Sequence, residues 1–350
     1  MPTINTSKKT SSTIHSIPEW HSQSALILTW PHAGSDWKDS LSLIEQEYLS
    51  IAVAVTRTQC LFIIAHDELH QTHILTMLRS ARCNLAHVQW FIIATNDTWI
   101  RDYGPLCVRS ENELIFQDWQ FDGWGKKFSA DLDNAVTNHL WRYEFFRNKK
   151  LTAVGIVLEG GSIDTNGRGL LLTNHRCLLD YSRNPKILKL QWDDIFYEKL
   201  GIEKVLWLHH GYLEGDDTDG HIDTLARFCS ESHIVYCQSS DKSDENYQEL
   251  FQMEKELHSY AKDLDLKLTA LPLPAPIRDK RGGRLPATYA NFVILNHNVL
   301  MPTYDEPMDD IAKGRLQSCF PERQVVGIKS LKLLQQGGSL HCATMNIPAD

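Results

Sequence analysis

Between residues 211 and 223 the chain reads Gly-Tyr-Leu-Glu-Gly-Asp-Asp-Thr-Asp-Gly-His-Ile-Asp. Five acids and a histidine fall within ten residues there, 214–223. Apolar runs at 205–208 and 224–228 flank the stretch, so it reads as a polar loop between two strands, or between a strand and a helix. Like charges this dense need a cation or a set of donors among them. A calcium-loop reading fails. With Asp217, Asp219 and Gly220 at that motif's third, fifth and sixth positions, Gly215 and Ala226 fall at the first and twelfth, where carboxylates are required. A transition-metal site drawn from His209, His210, Asp217, His221 and Asp223 stays open. So does a general acid/base beside an anion that holds a cationic substrate, because His221 and Asp223, two apart on an extended strand, share a face.

Three further stretches pass from an apolar run into polar or glycine-rich sequence, where active-site residues tend to collect. Residues 95–105 place Trp99, Arg101 and Asp102 ahead of a Gly104-Pro105 bend; the plain alternative is a tight turn with an Asp97–Arg101 or Arg101–Asp102 ion pair. Glu159 stands between Leu158 and Gly160-Gly161. A buried carboxylate there must be paired or have a raised pKa, and the glycines let another group come close. Its plain alternative is a strand-end turn. Cys342 follows Gly337-Gly338 and sits next to His341, unlike the other seven cysteines, most of which lie in apolar runs; a lone cysteine is nonetheless usually structural. Together, a cysteine, a histidine and several carboxylates supply a nucleophile, an acid/base and an anionic cradle. A flat guanidinium suits such a cradle: it bonds carboxylates on more than one edge, and its central carbon is open to a thiolate. No Gly-x-Ser-x-Gly elbow, P-loop or Gly-x-Gly-x-x-Gly fingerprint points to a rival chemistry.

These segments resemble the agmatine deiminase family, within the guanidine-modifying superfamily that also holds bacterial peptidylarginine deiminases. The likeness is carried by Trp99-Ile-Arg-Asp102-Tyr-Gly-Pro105, Asp118-Trp-Gln-Phe-Asp-Gly-Trp-Gly125, Leu158-Glu159-Gly-Gly-Ser162, Asp217-Thr-Asp-Gly-His221-Ile-Asp223, Thr288-Tyr-Ala-Asn-Phe292 and Gly337-Gly-Ser-Leu-His-Cys342, in the family's order. The resemblance implies a five-bladed α/β propeller, the pentein fold, with pseudo-fivefold ββαβ modules around a central site. It implies Cys342 as the nucleophile, His221 as the general acid/base and Glu159 as the carboxylate that orients the histidine. Asp102 and Asp223 would grip the guanidinium, Asp217 would add a substrate contact, and Trp99 would line the pocket. The implied reaction is hydrolysis of agmatine to N-carbamoylputrescine and ammonia through an amidino-cysteine, in putrescine synthesis. Peptidyl-arginine or free arginine is the alternative substrate. No metal or organic cofactor is implied, and a homodimer is suggested by kinship. From other classes, a divalent-metal hydrolase and a non-catalytic polyamine-binding protein are the rivals.

The elements that must position these residues follow from the rest of the chain. Helical spacing marks 37–57, 68–79, 131–144, 186–200, 245–264 and 309–318; short apolar runs between them mark strands, among them 24–30, 60–65, 88–94, 224–228, 289–295 and 339–344. Helices alternate with strands from end to end with no internal linker, which predicts one α/β domain over 17–350 after a flexible tail at 1–16. Residues 271–284 are the most loop-like interior stretch and read first as a surface excursion, with a lid as the alternative. A net charge of −9, with 35 basic against 44 acidic residues, argues against nucleic acid or an anionic membrane as partner. No Cys-x-x-Cys pair, no secretory apolar segment and no membrane-length apolar run are present, so a cytoplasmic protein is expected.

Overall fold

A computed structural model of the chain describes residues 14–111 and 113–350. Of the expected tail, residues 1–13 lie outside the described residues, and the other three do not fit the expectation: Ile14–Ser16 is a strand paired antiparallel with Leu106–Ser110.

The described residues form a mixed α/β fold of five separate sheets. One unit recurs in them: an antiparallel strand pair, one or more helices, then a third strand parallel to the second. Ala226–Ser230, His233–Gln238 and Lys267–Pro272 make one such unit, with the helix Tyr247–Leu264 in the crossover. Val293–Ile294, Asn298–Thr303 and Gln324–Lys329 make the next, with Met308–Cys319. Ile163–Thr165, Leu170–Asn174 and Lys204–Leu208 repeat it around Lys189–Leu200. Leu106–Ser110, Glu113–Gln120 and Lys150–Val157 do so with shorter helices between. The remaining unit joins distant parts of the chain: Thr344–Pro348 pairs antiparallel with Gln23–Thr29, which runs parallel to Cys60–Ala65 across the helix Leu41–Thr56.

Burial explains the local choices. Leu26, Ile27 and Leu28 are all fully buried, the continuous apolar run that a sheet covered on both faces demands. Ile44, Tyr48, Ile51, Ala52 and Val55 form the inward stripe of the helix Leu41–Thr56; each large side chain there stabilises the fold by about 1.5–3 kcal/mol. Among the described residues no helix is long and apolar enough to cross a membrane.

Four expected elements differ. The helix over 131–144 breaks into Asp133–Ala135, Val136–Leu140 and Glu144–Arg147, because the Tyr143 hydroxyl leaves the helical path to bond both Ile92 N (2.8 Å) and Ile92 O (2.9 Å). The strand expected at 224 opens instead as a 3-10 turn, Ile222–Thr224, and the strand starts at Ala226. The strand expected over 289–295 shrinks to Val293–Ile294, and that over 339–344 starts only at Thr344. Those last two shortenings release Asn291 and Cys342 into turns.

Candidate active site

The functional candidates share one place in the repeating unit. Asp102 lies in the short helix Ile100–Tyr103 ahead of Leu106–Ser110, and Glu159 just ahead of Ile163–Thr165. His221 and Asp223 precede Ala226–Ser230, and Cys342 precedes Thr344–Pro348. The segment ahead of each of these units' first strands carries a candidate residue. The fifth such segment carries Asn291, ahead of Val293–Ile294.

These turns converge on a cavity of about 280 Å³. Cys342, Asp102, Asp217 and Trp99 line it, with Trp124, Phe128 and Leu285 as further walls. His221, Glu159 and Asp223, also expected at the site, stand behind the lining, fully buried. The closeness of the groups is measured by Gly161. A side-chain carbon there would lie 2.7 Å from His221 Nδ1, 2.9 Å from Asp102 Oδ1 and 3.0 Å from Asp223 Oδ2, so only glycine fits. Gly338 is held the same way against the indole of Trp99, at 2.3 Å from its Cζ3.

Each charged group has a distinct setting. Asp102 Oδ2 accepts from Trp124 Nε1 (2.9 Å) and its Oδ1 from Gly161 N (2.9 Å), with His221 Nδ1 at 3.6 Å. Burial pushes its carboxyl up to about 6; His221 opposes that, and Asp223 and Glu159 add to it. Asp223 Oδ2 lies 2.7 Å from His341 Nδ1 and 3.6 Å from Cys342 Sγ. Burial would raise Asp223, but the His341 bond and charge hold it below its ordinary value. Glu159 Oε2 lies 2.7 Å from His221 Nε2, and its Oε1 accepts from Arg183 Nε at 2.7 Å. Against its burial, those two partners hold Glu159 down to about 2. Burial also works against a charge on His221, yet Asp102, Cys177 and Glu159 outweigh it and keep the ring well above its ordinary 6.5. Burial, then Asp223 and Asp102, push the Cys342 thiol well above 9.0. Two atoms facing this cluster, His221 Nδ1 and Asp223 Oδ1, are buried without a hydrogen-bond partner.

The like charges of the 211–223 loop are answered by the protein's own cations. Arg183 Nη1 donates to Asp219 Oδ2 (2.8 Å) and its Nη2 to Thr218 O (3.1 Å). Lys127 Nζ donates to Asp219 Oδ2 (2.7 Å) and to Asp217 O (2.6 Å). Asp216 is taken up by Thr218 N (3.0 Å) and Gly220 N (2.6 Å). The metal site left open over His209, His210, Asp217, His221 and Asp223 does not assemble. Among the described residues, two other groups bring His, Cys, Asp or Glu donors together: Glu159 with Cys177 and His221, and Cys229 with His233 and Cys319. In the first, Glu159 and His221 bond each other directly and Arg183 takes the remaining carboxylate oxygen, so the donors are already used.

Neither ion pair considered for Arg101 forms. Its guanidinium turns away from Asp102, donating from Nη2 to Asn346 Oδ1 (2.8 Å) and from Nε to His341 O (3.3 Å). Two residues carry functional geometry that the sequence reading did not single out. Asn291 Oδ1 accepts from His341 N (2.9 Å) and Cys342 N (3.3 Å), which turns its Nδ2 toward Cys342 Sγ at 3.2 Å. Arg183 anchors Glu159 from a loop between helices. The signal for Asn291 was its place in the Thr288-Tyr-Ala-Asn-Phe292 segment; Arg183 had no such signal.

The arrangement presents a thiol beside a carboxylate, a charged imidazole held by a second carboxylate, and two carboxylates with unfilled hydrogen-bonding capacity. It can hold a flat cation and attack its carbon.

Comparisons with known proteins come to the same chemistry. Residues 15–348 match the family described as Porphyromonas-type peptidyl-arginine deiminase. The chain is similar to a solved C. jejuni agmatine deiminase, a cysteine-to-serine variant with substrate bound, at 38% identity, TM-score 0.89, and 96% coverage of each chain. It is 29% identical to an agmatine deiminase of Pseudomonas fluorescens over 97% of this chain and 99% of that one. A solved agmatine deiminase of Enterococcus faecalis, described as catalysing its reaction, is similar at 25% identity and TM-score 0.84, covering 95% of this chain and 96% of that one.

Proposed function

The chain belongs to the Porphyromonas-type peptidyl-arginine deiminase family, agmatine deiminases among its relatives, and from that premise we propose that it hydrolyses agmatine to N-carbamoylputrescine and ammonia, a step toward putrescine. One observation carries the choice of substrate: every charged residue lining the cavity is an acid. Asp102 is buried, Asp97 half-buried, and Asp36 and Asp217 exposed, with apolar Trp99, Phe128 and Leu285 between them. Agmatine is a cation at both ends with an apolar middle, and it needs this lining. Free arginine would bring a carboxylate with no guanidinium or ammonium in the lining to meet it. Arg278 and Arg284 are spent on Glu245 (2.9 Å) and Asp244 (2.8 Å), and Arg281 is not in the lining.

The mechanism follows from the geometry. The guanidinium enters between Asp102 and Asp223, filling the unpartnered Asp223 Oδ1. Its positive charge beside Sγ offsets the two carboxylates that hold the Cys342 proton, so on substrate binding the thiol gives that proton up to solvent and the thiolate forms. The Sγ electron pair then bonds to the guanidino carbon. His221 gives its proton to one terminal nitrogen, the carbon–nitrogen bond breaks, and ammonia leaves an amidino-cysteine. His221, now neutral, takes a proton from water, whose oxygen bonds to the same carbon. The carbon–sulfur bond breaks, the new hydroxyl gives its remaining proton to solvent, and the urea product departs with the thiolate restored. Glu159, fixed by Arg183, orients His221 and stabilises its charged form. Trp99 offers an indole face to the flat cation, and Asp217 faces the primary ammonium.

Five repeats of the ββαβ unit support a five-bladed α/β propeller and a single catalytic domain over 17–350. Eight free cysteines support a cytoplasmic protein, and family resemblance supports a homodimer. The test is side-by-side turnover of agmatine, arginine and a blocked arginine peptide, with mass spectrometry of the protein quenched during turnover. Ammonia from agmatine alone and an amidino adduct on Cys342 are expected. Equal turnover of the peptide, or an adduct elsewhere, ends the proposal.

A further inference from the structure

Away from the catalytic cavity, two neighbouring units bring Cys229, His233 and Cys319 together. Cys229 lies in Ala226–Ser230, and His233 opens the strand paired with it. The register of that pair slips between Phe228 and Ser230, an irregularity at Cys229 itself of the kind that re-aims a side chain. Cys319 ends the helix Met308–Cys319, which belongs to the next unit. The two sulfurs and a ring nitrogen all lie within 4.8 Å of one another, with Cys319 Sγ 4.0 Å from His233 Nε2. A zinc ion bound at about 2.3 Å to sulfur and 2.0–2.1 Å to nitrogen sets tetrahedral donors roughly 3.6–3.8 Å apart. The group therefore needs to contract by no more than about an ångström to bind.

We propose that Cys229, His233 and Cys319 form a zinc site that joins two adjacent units of the fold. Two thiolates and a neutral imidazole match the preference of zinc for sulfur and nitrogen, and two thiolates cancel the charge of a divalent ion in a buried place. The Thr269 hydroxyl, 2.9 Å from His233 Nε2, would yield that nitrogen to the metal. A water or that same hydroxyl completes the tetrahedron. Cys229 and His233 are buried and Cys319 is partly exposed, which gives the ion a way in from the surface. None of the three lines the catalytic cavity, so the role is structural.

The full chain, reduced and treated with chelator, is titrated with Co2+ and then Zn2+. One equivalent of Co2+ is expected, with thiolate-to-cobalt absorption that Zn2+ abolishes. Zinc should also shield two thiols from alkylation, mapped by mass spectrometry to Cys229 and Cys319, and raise Tm without changing agmatine turnover. Cys319→Ser should lose the absorption, while Cys83→Ser keeps it. The mapping on the unaltered chain decides the matter if a variant folds poorly. The proposal is overturned by absorption that is absent at saturating Co2+, or that survives in Cys319→Ser. It is equally overturned by protection that falls on Cys342 or Cys177, or by a Cys229–Cys319 disulfide that forms in place of metal binding.

Discussion

His341 stands between two buried clusters made of the same kinds of side chain. On one side Glu19 and Asp164 share Arg227, which bonds both, and Arg101 adds its charge nearby. Despite its burial, Glu19 is held far below the ordinary carboxylate range there. On the other side Asp102 lines the cavity and Asp223 stands just behind it, neither paired with a guanidinium; burial pushes Asp102 up to about 6, while His341 holds Asp223 down, just as burial raises Asp164 in the first cluster. His341 touches both, with Nε2 2.9 Å from Glu19 and Nδ1 2.7 Å from Asp223. The closed cluster carries its own guanidinium; the open one has the His221 ring beside Asp102 but no guanidinium. Burying acids together does not by itself make a binding site. Leaving out the guanidinium does, and the omission specifies the ligand.

The sharpest way to break this contrast is Cys342→Ala. It should cut ammonia release by at least ~10⁴-fold while agmatine still raises Tm, since the cradle is intact. Retained turnover would refute the nucleophile. Next, Arg227→Met should strip the closed cluster of its cation. Two buried acids left without it cost ~3–5 kcal/mol of stability, read from denaturant melts. Asp102→Asn should do the reverse. Removing one of the two carboxylates proposed to grip the cation should cost ~10²–10³-fold in kcat/KM, yet the fold at pH 8 should be as stable as before or more so. If Asp102→Asn loses as much stability as Arg227→Met, the two clusters are not different in kind. Smaller still, Asn291→Ala should slow kcat by ~10–10²-fold with KM little moved, because it misplaces the thiol and not the substrate.

The pH dependence sharpens the comparison further. The folded-state pKa of Asp102, about 6, lies above its ordinary 3.8. The folded protein thus holds that proton more tightly than the unfolded chain, and loses stability as pH rises between the two values. Above about 6 the whole cost is present, and a bound cation offsets it. Agmatine should therefore raise Tm more at pH 8 than at pH 5. Below pH 6, kcat/KM should fall as Asp102 gains its proton, and Asp102→Asn should lack that limb. An equal Tm shift at both pH values would count against Asp102 as the guanidinium's partner.

The sequence made these members of the site legible because each lies where an apolar run gives way to polar or glycine-rich sequence. Asp102, Glu159, His221, Asp223 and Cys342 are of that kind, and they converge. Asn291 was hidden because an amide inside Tyr-Ala-Asn-Phe-Val-Ile-Leu leaves a strand-like apolar pattern intact. In the fold Asn291 bonds instead to His341, Cys342 and Asp223, outside the sheet. Arg183 was hidden because its partners Glu159 and Asp219 are remote along the chain, and pairing of that sort has no period. His221 and Asp223 do point to one place, but through a 3-10 turn and not by the alternation of a strand. The fold class followed from alternating helices and strands. The joining of Thr344–Pro348 to Gln23–Thr29 did not, because strand pairing across the whole chain has no local signature.

That joining has an effect on the timing of biosynthesis. The sulfur sits immediately ahead of the strand that must dock beside the first long strand of the molecule, and such a long-range closure comes late in folding. A chain still emerging from the ribosome, or clipped near residue 340, has the acids and the imidazole but no seat for the thiol. A chain that stops short of residue 342 lacks the thiol proposed as nucleophile.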